Sequence, residues 1–307
     1  MKDLSKYNKK IAFGIITLAA VFVWSCSEDD PAVVSSTDTA NVQGESVTDS
    51  YYDESNDFST IAVGGTSATL TGRTENGRTN EEIKNLGDID SRLSCAVVTL
   101  VKDPTSTQDK PVYKGTITID FKDGCTDAKG NIRKGKITIA YNGRRFALNS
   151  TITTTFVNYS VNGIKIEGTN ILTNLTATLE SSPKFKNEVK GGKVTFTDGK
   201  VATRDHVLTR EWIRATNPTQ DSWKVEGSAT GTNREGVNYQ MEITKALVYK
   251  RSCVASKVFI AVEGTKKFTG GDKTMTIDFG AGDCDNKVTV TVNGVSKEVE
   301  IKADGSN

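Results

Sequence analysis

The sequence predicts an all-β protein, arranged as a long antiparallel meander or a sandwich-like sheet in which one β unit occurs twice. Polar and apolar residues alternate through most of the chain after Thr60, as in KVTVTV at 287–292. This alternation is typical of antiparallel strands with one face in water. Asn-Gly pairs, which favour type I′ hairpins, separate such runs at 142–143, 162–163 and 293–294. Both observations indicate strands that follow one another as hairpins.

A duplicated segment is the third observation behind this fold class. GTITIDFKDGCTDAKGNIRKGKITIAYNG at 115–143 matches KTMTIDFGAGDCDNKVTVTVNG at 273–294 in the order of its parts: a strand ending in Ile-Asp-Phe, a turn with a cysteine, and a strand closed by Asn-Gly. Four cysteines beyond Cys26 allow three pairings. The duplication favours Cys95 with Cys125 and Cys253 with Cys284, which lie at nearly equal separations.

Composition divides the chain into three parts. Residues 1–25 are a signal peptide, and residues 26–59 are predicted to be a flexible tether because Ser, Thr, Asp, Val and Asn occur there without sustained periodicity. Residues 60–307 form the all-β region, either as one domain or as two related halves at about 60–200 and 201–307. Only residues 80–86 hint at a helix.

The first 30 residues carry the features of a targeting segment. Four lysines precede an apolar run at 11–24, which is too short for the roughly 20 residues that a membrane-spanning helix needs. Val23-Trp24-Ser25-Cys26 resembles a lipobox, which implies that Cys26 becomes the lipid-bearing first residue. The acidic cluster at 27–30 resembles the export tag of surface-exposed lipoproteins in Bacteroidota-type bacteria. The alternative is a solvated linker on a protein that faces the periplasm.

Charge and motif content disfavour several function classes. The formal net charge is +1 with both signs spread along the chain, so no nucleic-acid-binding surface is expected. The single histidine, His206, lies in an alternating segment without a Gly-x-Ser-x-Gly motif elsewhere, which favours a packing or surface role over catalysis. No Cys-x-x-Cys pair offers a zinc or haem site, and no cofactor is expected.

Several oxygen-rich side chains remain as candidates. Two acidic turns could bind calcium, although Asp, Asn and Gly also favour tight turns for backbone reasons; these residues are Asp123, Asp127, Asn131, Asp283, Asp285 and Asn286. Asp120 and Asp278 occupy equivalent places in the duplicated unit, which favours a structural role. Glu211 and Glu226 lie near tryptophans, as carboxylates do in sugar-cleaving sites.

Four aromatic residues form the predicted ligand surface. Trp212, Trp223, Tyr239 and Tyr249 fall within neighbouring strand segments, and exposed rings on a sheet can stack on sugars or anchor a protein partner. The alternative is that these rings fill the core.

With these features in view, the region from about Leu93 onward resembles a family of β-rich Bacteroidota lipoproteins without a known activity. The segments that carry the likeness include IDFKDGCTDAKGNIRKGKITIAY at 119–141, EGSATGTNREGVNYQMEITKALV at 226–248 and DFGAGDCDNKVTVTVNG at 278–294. The resemblance implies an envelope location and no particular chemistry.

The sequence therefore predicts a lipoprotein of the outer membrane, exposed on the cell surface, that acts as a non-enzymatic binding or structural component. Its expected partners are the membrane, through lipid on Cys26, and a glycan or protein ligand. The alternatives are a carboxylate-based, polysaccharide-directed enzyme and a periplasm-facing component of envelope assembly. Acidic residues clustered in a cleft would favour the enzyme.

Overall fold

The computed structural model describes residues 36–69, 80–82, 86–106, 112–127, 130–256, 258, 260–271 and 273–301. Side chains of the first helix are described from Val47 to Gly65. The predicted signal peptide, the lipid-bearing Cys26 and the acidic cluster at 27–30 lie outside the described residues.

In the described part of the chain, fifteen strands form one antiparallel sheet, in which strands adjacent in sequence are paired in space and only β4 lies off the path, beside β5. The strands are β1 (Asn80–Glu82), β2 (Val97–Lys102), β3 (Lys114–Asp120), β4 (Cys125–Thr126), β5 (Ile132–Asn142), β6 (Thr151–Val161), β7 (Ile164–Asn174), β8 (Lys184–Thr195), β9 (Val201–Ile213), β10 (Ser222–Thr232), β11 (Asn238–Lys250), β12 (Glu263–Gly270), β13 (Lys273–Ala281), β14 (Lys287–Val292) and β15 (Val295–Glu300). The predicted all-β meander is therefore confirmed.

Five helical segments occur among the described residues. Two are α-helices, α1 (Ser36–Thr69) and α2 (Leu86–Ile89), and three are 3₁₀ turns at Ser91–Leu93, Pro218–Gln220 and Arg251–Ser256. The helix hinted at 80–86 is wrong over Asn80–Glu82, which pair with β2, whereas Leu86 is the first residue of α2.

One face of the sheet, here called the inner face, carries the core. A row of directly paired residues crosses it from β2 to β14. Every member is buried, because successive side chains of a strand point to opposite faces of the sheet and each member points to the inner face. The row is Leu100, Ile117, Ile139, Thr154, Asn170, Val189, His206, Ala229, Met241, Phe268, Met275 and Val292.

Three members of this row are polar, and each meets α1. The hydroxyls of Ser59 and Thr154 lie 2.5 Å apart, and the Asn170 amide donates to the Ser55 hydroxyl at 2.9 Å. His206 Nδ1 lies 3.5 Å from an Asp49 carboxylate oxygen. The helix therefore crosses the inner face from β9 to β6, and it satisfies polar groups that the sheet alone would leave buried.

The predicted tether at 26–59 is wrong from Ser36 onward, because α1 begins there and continues to Thr69. Its Ser, Thr, Asp, Val and Gly content gives it low intrinsic helix propensity. Its stability comes instead from packing, since Tyr52, Phe58 and Ala62 are fully buried in the same core as β2–β9. The boundary at residue 60 also falls inside this helix.

Successive connections emerge at alternate ends of the sheet, and the two ends differ. The connections at 162–163, 196–200, 233–237 and 293–294 are tight turns, whereas the opposite end carries the loops 143–150, 175–183, 214–221 and 251–262. We call the second the long-loop end. Longer loops on a rigid sheet are where binding groups usually occur.

Both predicted disulfides are present, Cys95–Cys125 and Cys253–Cys284. The two copies of the duplicated unit also share a turn: Asp120 Oδ1 accepts from the Lys122 amide, and Asp278 Oδ1 accepts from the Gly280 amide, both at 2.8 Å. β3 and β13 run in opposite directions, so the first disulfide lies at the tight-turn end and the second at the long-loop end.

Candidate functional site

A cleft of about 340 Å³ opens between α1 and the inner face. The helix contributes polar side chains from one flank, Asp49, Asp53, Asn56, Asp57 and Thr60, which recur at helical spacing. The sheet contributes an apolar floor from β7 to β11 together with Asn187 and Arg210, and the loop 143–150 contributes Arg145. The floor consists of Leu172, Phe185, Leu208, Val225 and Tyr249. The cleft therefore combines a polar wall with an apolar floor, as small-molecule sites do.

The inner end of the cleft is closed by an ion pair. The Arg204 guanidinium, whose side chain is fully buried on β9, lies 2.9 Å from the Asp49 carboxylate, and Arg204 Nε donates to His206 Nδ1 at 3.0 Å. Burial would raise the pKa of Asp49, but the charge of Arg204 and the adjacent His206 outweigh burial and hold that pKa well below its usual range. Asp49 is therefore a fixed anion.

A second ion-pair network holds the other flank of α1. Glu54 accepts from Arg133 Nη2 at 2.6 Å and from Arg92 Nη1 at 3.4 Å, and Arg133 also contacts Asp127. The guanidinium of Arg92 lies over the ring of buried Phe58, 4.6 Å from its centroid. Since both flanks are anchored, the helix wall of the cleft has a defined position.

Two carboxyl groups face the open part of the cleft. Desolvation and the neighbouring charge of Asp49 raise the pKa of Asp53 to about 7. Desolvation also raises the pKa of Asp57, against the opposing charge of Arg92, 3.8 Å away. Both side chains are nonetheless reached by solvent, because the cleft is open. Asp53 can therefore exchange a proton near neutral pH.

Two guanidiniums lie across from these carboxyl groups. Among the described residues, neither Arg145 nor Arg210 has an ion pair. Arg145 lies against the Phe185 ring at 5.2 Å from its centroid, and its buried Nε has no hydrogen-bond partner. Burial and the charge of Arg210 lower the pKa of Arg145. A hydrogen-bond acceptor on an anionic ligand would satisfy the Arg145 Nε and would stabilise the charged form of this guanidinium.

Three of the four predicted aromatic residues form one row at the long-loop end of the inner face. Trp223 pairs directly with Trp212 on β9 and with Tyr249 on β11. Tyr249 lines the cleft, and Arg210 lies 5.7 Å from the ring centroids of both Trp223 and Tyr249. Tyr239 is a correction: it lies near the start of β11 on the inner face, where it is buried and stacks on Phe268 with 5.1 Å between the ring centroids.

Trp212 lines a neighbouring cavity of about 550 Å³ at the long-loop end. The ring of Phe146 in this cavity lies 5.6 Å from that of Phe185 in the cleft. The two cavities are therefore neighbours across one aromatic pair.

None of the carboxylates singled out in the sequence lines the cleft. Glu211 on β9 and Glu226 on β10 lie on the outer face of the sheet, whereas Trp212 and Trp223 lie on the inner face. Lys184 lies 3.8 Å from Glu211. Asp120 pairs with Lys136 at 2.9 Å, and its turn hydrogen bond recurs at Asp278, as the structural interpretation predicts.

The side-chain oxygens that could bind calcium lie in turns, and several of them already have partners within the protein. Asp127 is buried against the Arg133 guanidinium and accepts from the Asn131 amide at 2.9 Å. Asp285 accepts from the Lys287 amide at 3.1 Å. No group of three acidic, histidine or cysteine side chains suited to a metal occurs within the described ranges. Asp123 and Asp283 lie exposed in their turns.

The residues that sequence reasoning missed are those of α1. Asp49, Asp53 and Asp57 recur every four residues, which is the spacing of one helix face, and this was the available signal. His206, expected to pack, is buried with its Nε2 3.1 Å from the Asn187 amide nitrogen.

Comparisons of the chain with protein-family models, curated proteins and solved structures gave no significant match. Among the described residues, no helix combines the length and apolar character that crossing a bilayer requires.

Proposed function

We propose that this chain is a lipid-anchored protein of the outer membrane, displayed at the cell surface, that binds a glycan in the cleft between α1 and the inner face. The observation that carries the binding role is the pair of guanidiniums, Arg145 and Arg210, which lack ion-pair partners among the described residues above an aromatic and aliphatic floor. The anchor rests on the sequence features of residues 1–30.

Sugars suit this combination of groups. A sugar ring has an apolar face that packs on aromatic rings, here those of Tyr249 and Phe185. Its hydroxyls need planar donors and acceptors, which Asp57, Asn56 and Asn187 supply. The adjacent guanidiniums favour a sugar that carries a carboxylate, because bidentate arginine–carboxylate pairs are strong and directional.

A panel of neutral and acidic oligosaccharides tests the proposal, with binding measured by titration calorimetry. We expect an acidic member to bind, and Arg210→Ala to weaken that binding by at least about tenfold, since a charged hydrogen bond contributes about 1.5–3 kcal/mol. Lys297→Ala, on the exposed strand β15, is the matched control. Equal loss of affinity in both variants, or no binding to any oligosaccharide, would contradict the proposal.

Glycan cleavage is the second candidate, and the titration of Asp53 near neutral pH favours it. A carboxyl group with a raised pKa can act as a general acid beside a second carboxylate, here Asp49 or Asp57. Incubation of the bound oligosaccharide with the protein, followed by assay of new reducing ends, distinguishes cleavage from binding. Cleavage predicts turnover that Asp53→Asn abolishes while binding persists, whereas a binding protein gives no reducing ends.

A further inference from the structure

We infer that the long-loop end carries a second contact surface, which inserts into the headgroup layer of an anionic lipid membrane. This rim patch consists of Phe146, Leu179, Trp212, Arg214, Pro218 and Arg251, all of which line the cavity of about 550 Å³. The inference does not depend on a ligand in the cleft.

The topology brings the patch together from four separate segments. The loops 143–150, 175–183 and 214–221 and the segment beginning at Arg251 leave the sheet at the same end because they follow alternate strands of a meander. The Cys253–Cys284 disulfide fixes the last segment to the β13–β14 turn. The loops therefore form one surface beyond the strand ends.

The apolar part of the patch is exposed to an unusual degree. Leu179 is 73% exposed and Phe146 is 51% exposed. Leu148 and Leu175, in the same two loops, are also exposed. Contiguous exposed apolar side chains at loop tips mark contact surfaces, and leucine and aromatic rings are the residues that enter the headgroup and acyl boundary of a membrane.

Trp212 sits in this patch in a fixed orientation. Its Nε1 donates to Asp221 Oδ2 at 3.0 Å, and the other oxygen of this buried carboxylate accepts from the Ala215 amide at 2.9 Å. The guanidinium of Arg214 lies 5.0 Å from the indole centroid. These contacts therefore hold the ring in place where it lines the cavity.

The charge of the patch complements phosphate. Arg214 and Arg251 have no ion pair among the described residues, and Asp221 is turned inward by its two hydrogen bonds. The exposed acids at this end are Glu180 beside Leu179, and Asp283 and Asp285 on the β13–β14 turn. None of these acids lines the cavity, whereas both guanidiniums do. Basic groups around apolar anchors favour an anionic lipid surface over a neutral one, and a lipid anchor would gain a second attachment point.

Vesicle binding by residues 26–307 carrying Cys26→Ser, which removes any acyl chain, tests the inference. Trp223→Phe leaves Trp212 as the single tryptophan of this chain, so its fluorescence reports insertion. We expect binding and a blue shift with phosphatidylcholine vesicles that contain phosphatidylglycerol, and neither with phosphatidylcholine alone.

Substitutions separate the two parts of the patch. Replacing both Arg214 and Arg251 by Ala should weaken binding by about thirtyfold, at about fivefold for each basic group near an anionic surface. Leu179→Asp should weaken it by at least about tenfold. Val295→Asp, an exposed valine at the tight-turn end, should leave it unchanged, and circular dichroism confirms the fold of each variant.

Three results would overturn the inference. The first is equal binding to both vesicle types, and the second is equal loss in the Leu179 and Val295 variants. The third is binding to soluble glycerol phosphate as tight as to vesicles, which would assign the patch to a small anion. Oligosaccharide binding by the Leu179→Asp variant should be normal, so failure here and failure of the cleft proposal are distinguishable.

Discussion

The carboxylate of Asp49 on α1 lies 2.9 Å from the guanidinium of Arg204 on β9, in a position where the arginine side chain is wholly buried. This ion pair joins a helix near the start of the described chain to the middle of the sheet. It also holds one wall of the cleft, because Asp49 lines the cleft.

Removing the charge of Asp49 should destabilise the protein. Asp49→Asn leaves Arg204 buried without its carboxylate, and breaking a buried pair typically costs about 3–5 kcal/mol. We expect the lower part of this range in urea denaturation, because Asp49 is itself partly exposed. Asp198→Asn removes an exposed pair with Arg234 at 2.7 Å and should cost less than about 1 kcal/mol. Equal losses of unfolding free energy in the two variants would show that the buried pair stabilises the fold no more than an exposed pair does.

Asp53 should make the protein less stable as pH rises toward 8. Its folded pKa of about 7 exceeds the unfolded value of about 3.9. Its stabilising contribution is therefore complete below about pH 4 and is lost as pH rises through about 7. Solvent access to the cleft limits the effect to on the order of 1 kcal/mol. Melting temperatures from pH 4 to 8 should fall less for Asp53→Asn than for the unaltered protein.

The exposed Asp283 provides the control for this titration. Asp283→Asn should follow the melting profile of the unaltered protein. A profile for Asp53→Asn that coincides with both would contradict a raised pKa at position 53.

Each disulfide should contribute separately to stability. Both close loops with a sequence separation near 30, namely 30 for Cys95–Cys125 and 31 for Cys253–Cys284. The chain-entropy model assigns about 3–4 kcal/mol to each. The pairs Cys95→Ala with Cys125→Ala, and Cys253→Ala with Cys284→Ala, should lower the unfolding free energy by similar amounts. Non-reducing peptide mapping that linked cysteines across the two units would refute the pairing.

The sheet was predictable because its signals are local. The alternation of polar and apolar residues determines which side chains of each strand point into the core, and Asn-Gly pairs determine where hairpins form. Both therefore follow from short stretches of sequence. The duplicated unit also selected the two disulfides correctly. These signals do not depend on contacts between distant residues.

The cleft was not predictable to the same extent, because α1 is stabilised by contacts about 100 residues away in sequence, such as Ser59 with Thr154 and Ser55 with Asn170. Its composition resembles a linker, and only burial makes it a helix. The polar residues at inward positions of β6, β7 and β9 were the evidence that something polar covers the sheet. Tyr239 was misplaced because period-2 alternation does not show how far along a strand the core extends.

Cys26 should be required for membrane attachment. Cys26→Ala should abolish incorporation of labelled palmitate and, once high salt screens the basic groups of the rim patch, release the protein from the outer-membrane fraction, because acyl chains on Cys26 would supply the anchor. Protease treatment of intact cells should cleave the unaltered protein if it is displayed outward. Labelling that persists in the variant would contradict lipidation, and full protection in intact cells would contradict surface display.

Hydrogen exchange over residues 48–63 tests most directly the central claim, that α1 is docked on the inner face and forms one wall of the binding cleft. Tyr52, Ser55 and Phe58 are buried there, so we predict that amides of this segment exchange as slowly as those of the neighbouring strands, and faster in Asp49→Asn. Exchange at the rate of an unstructured peptide would contradict the account, because the cleft would then have no helix wall.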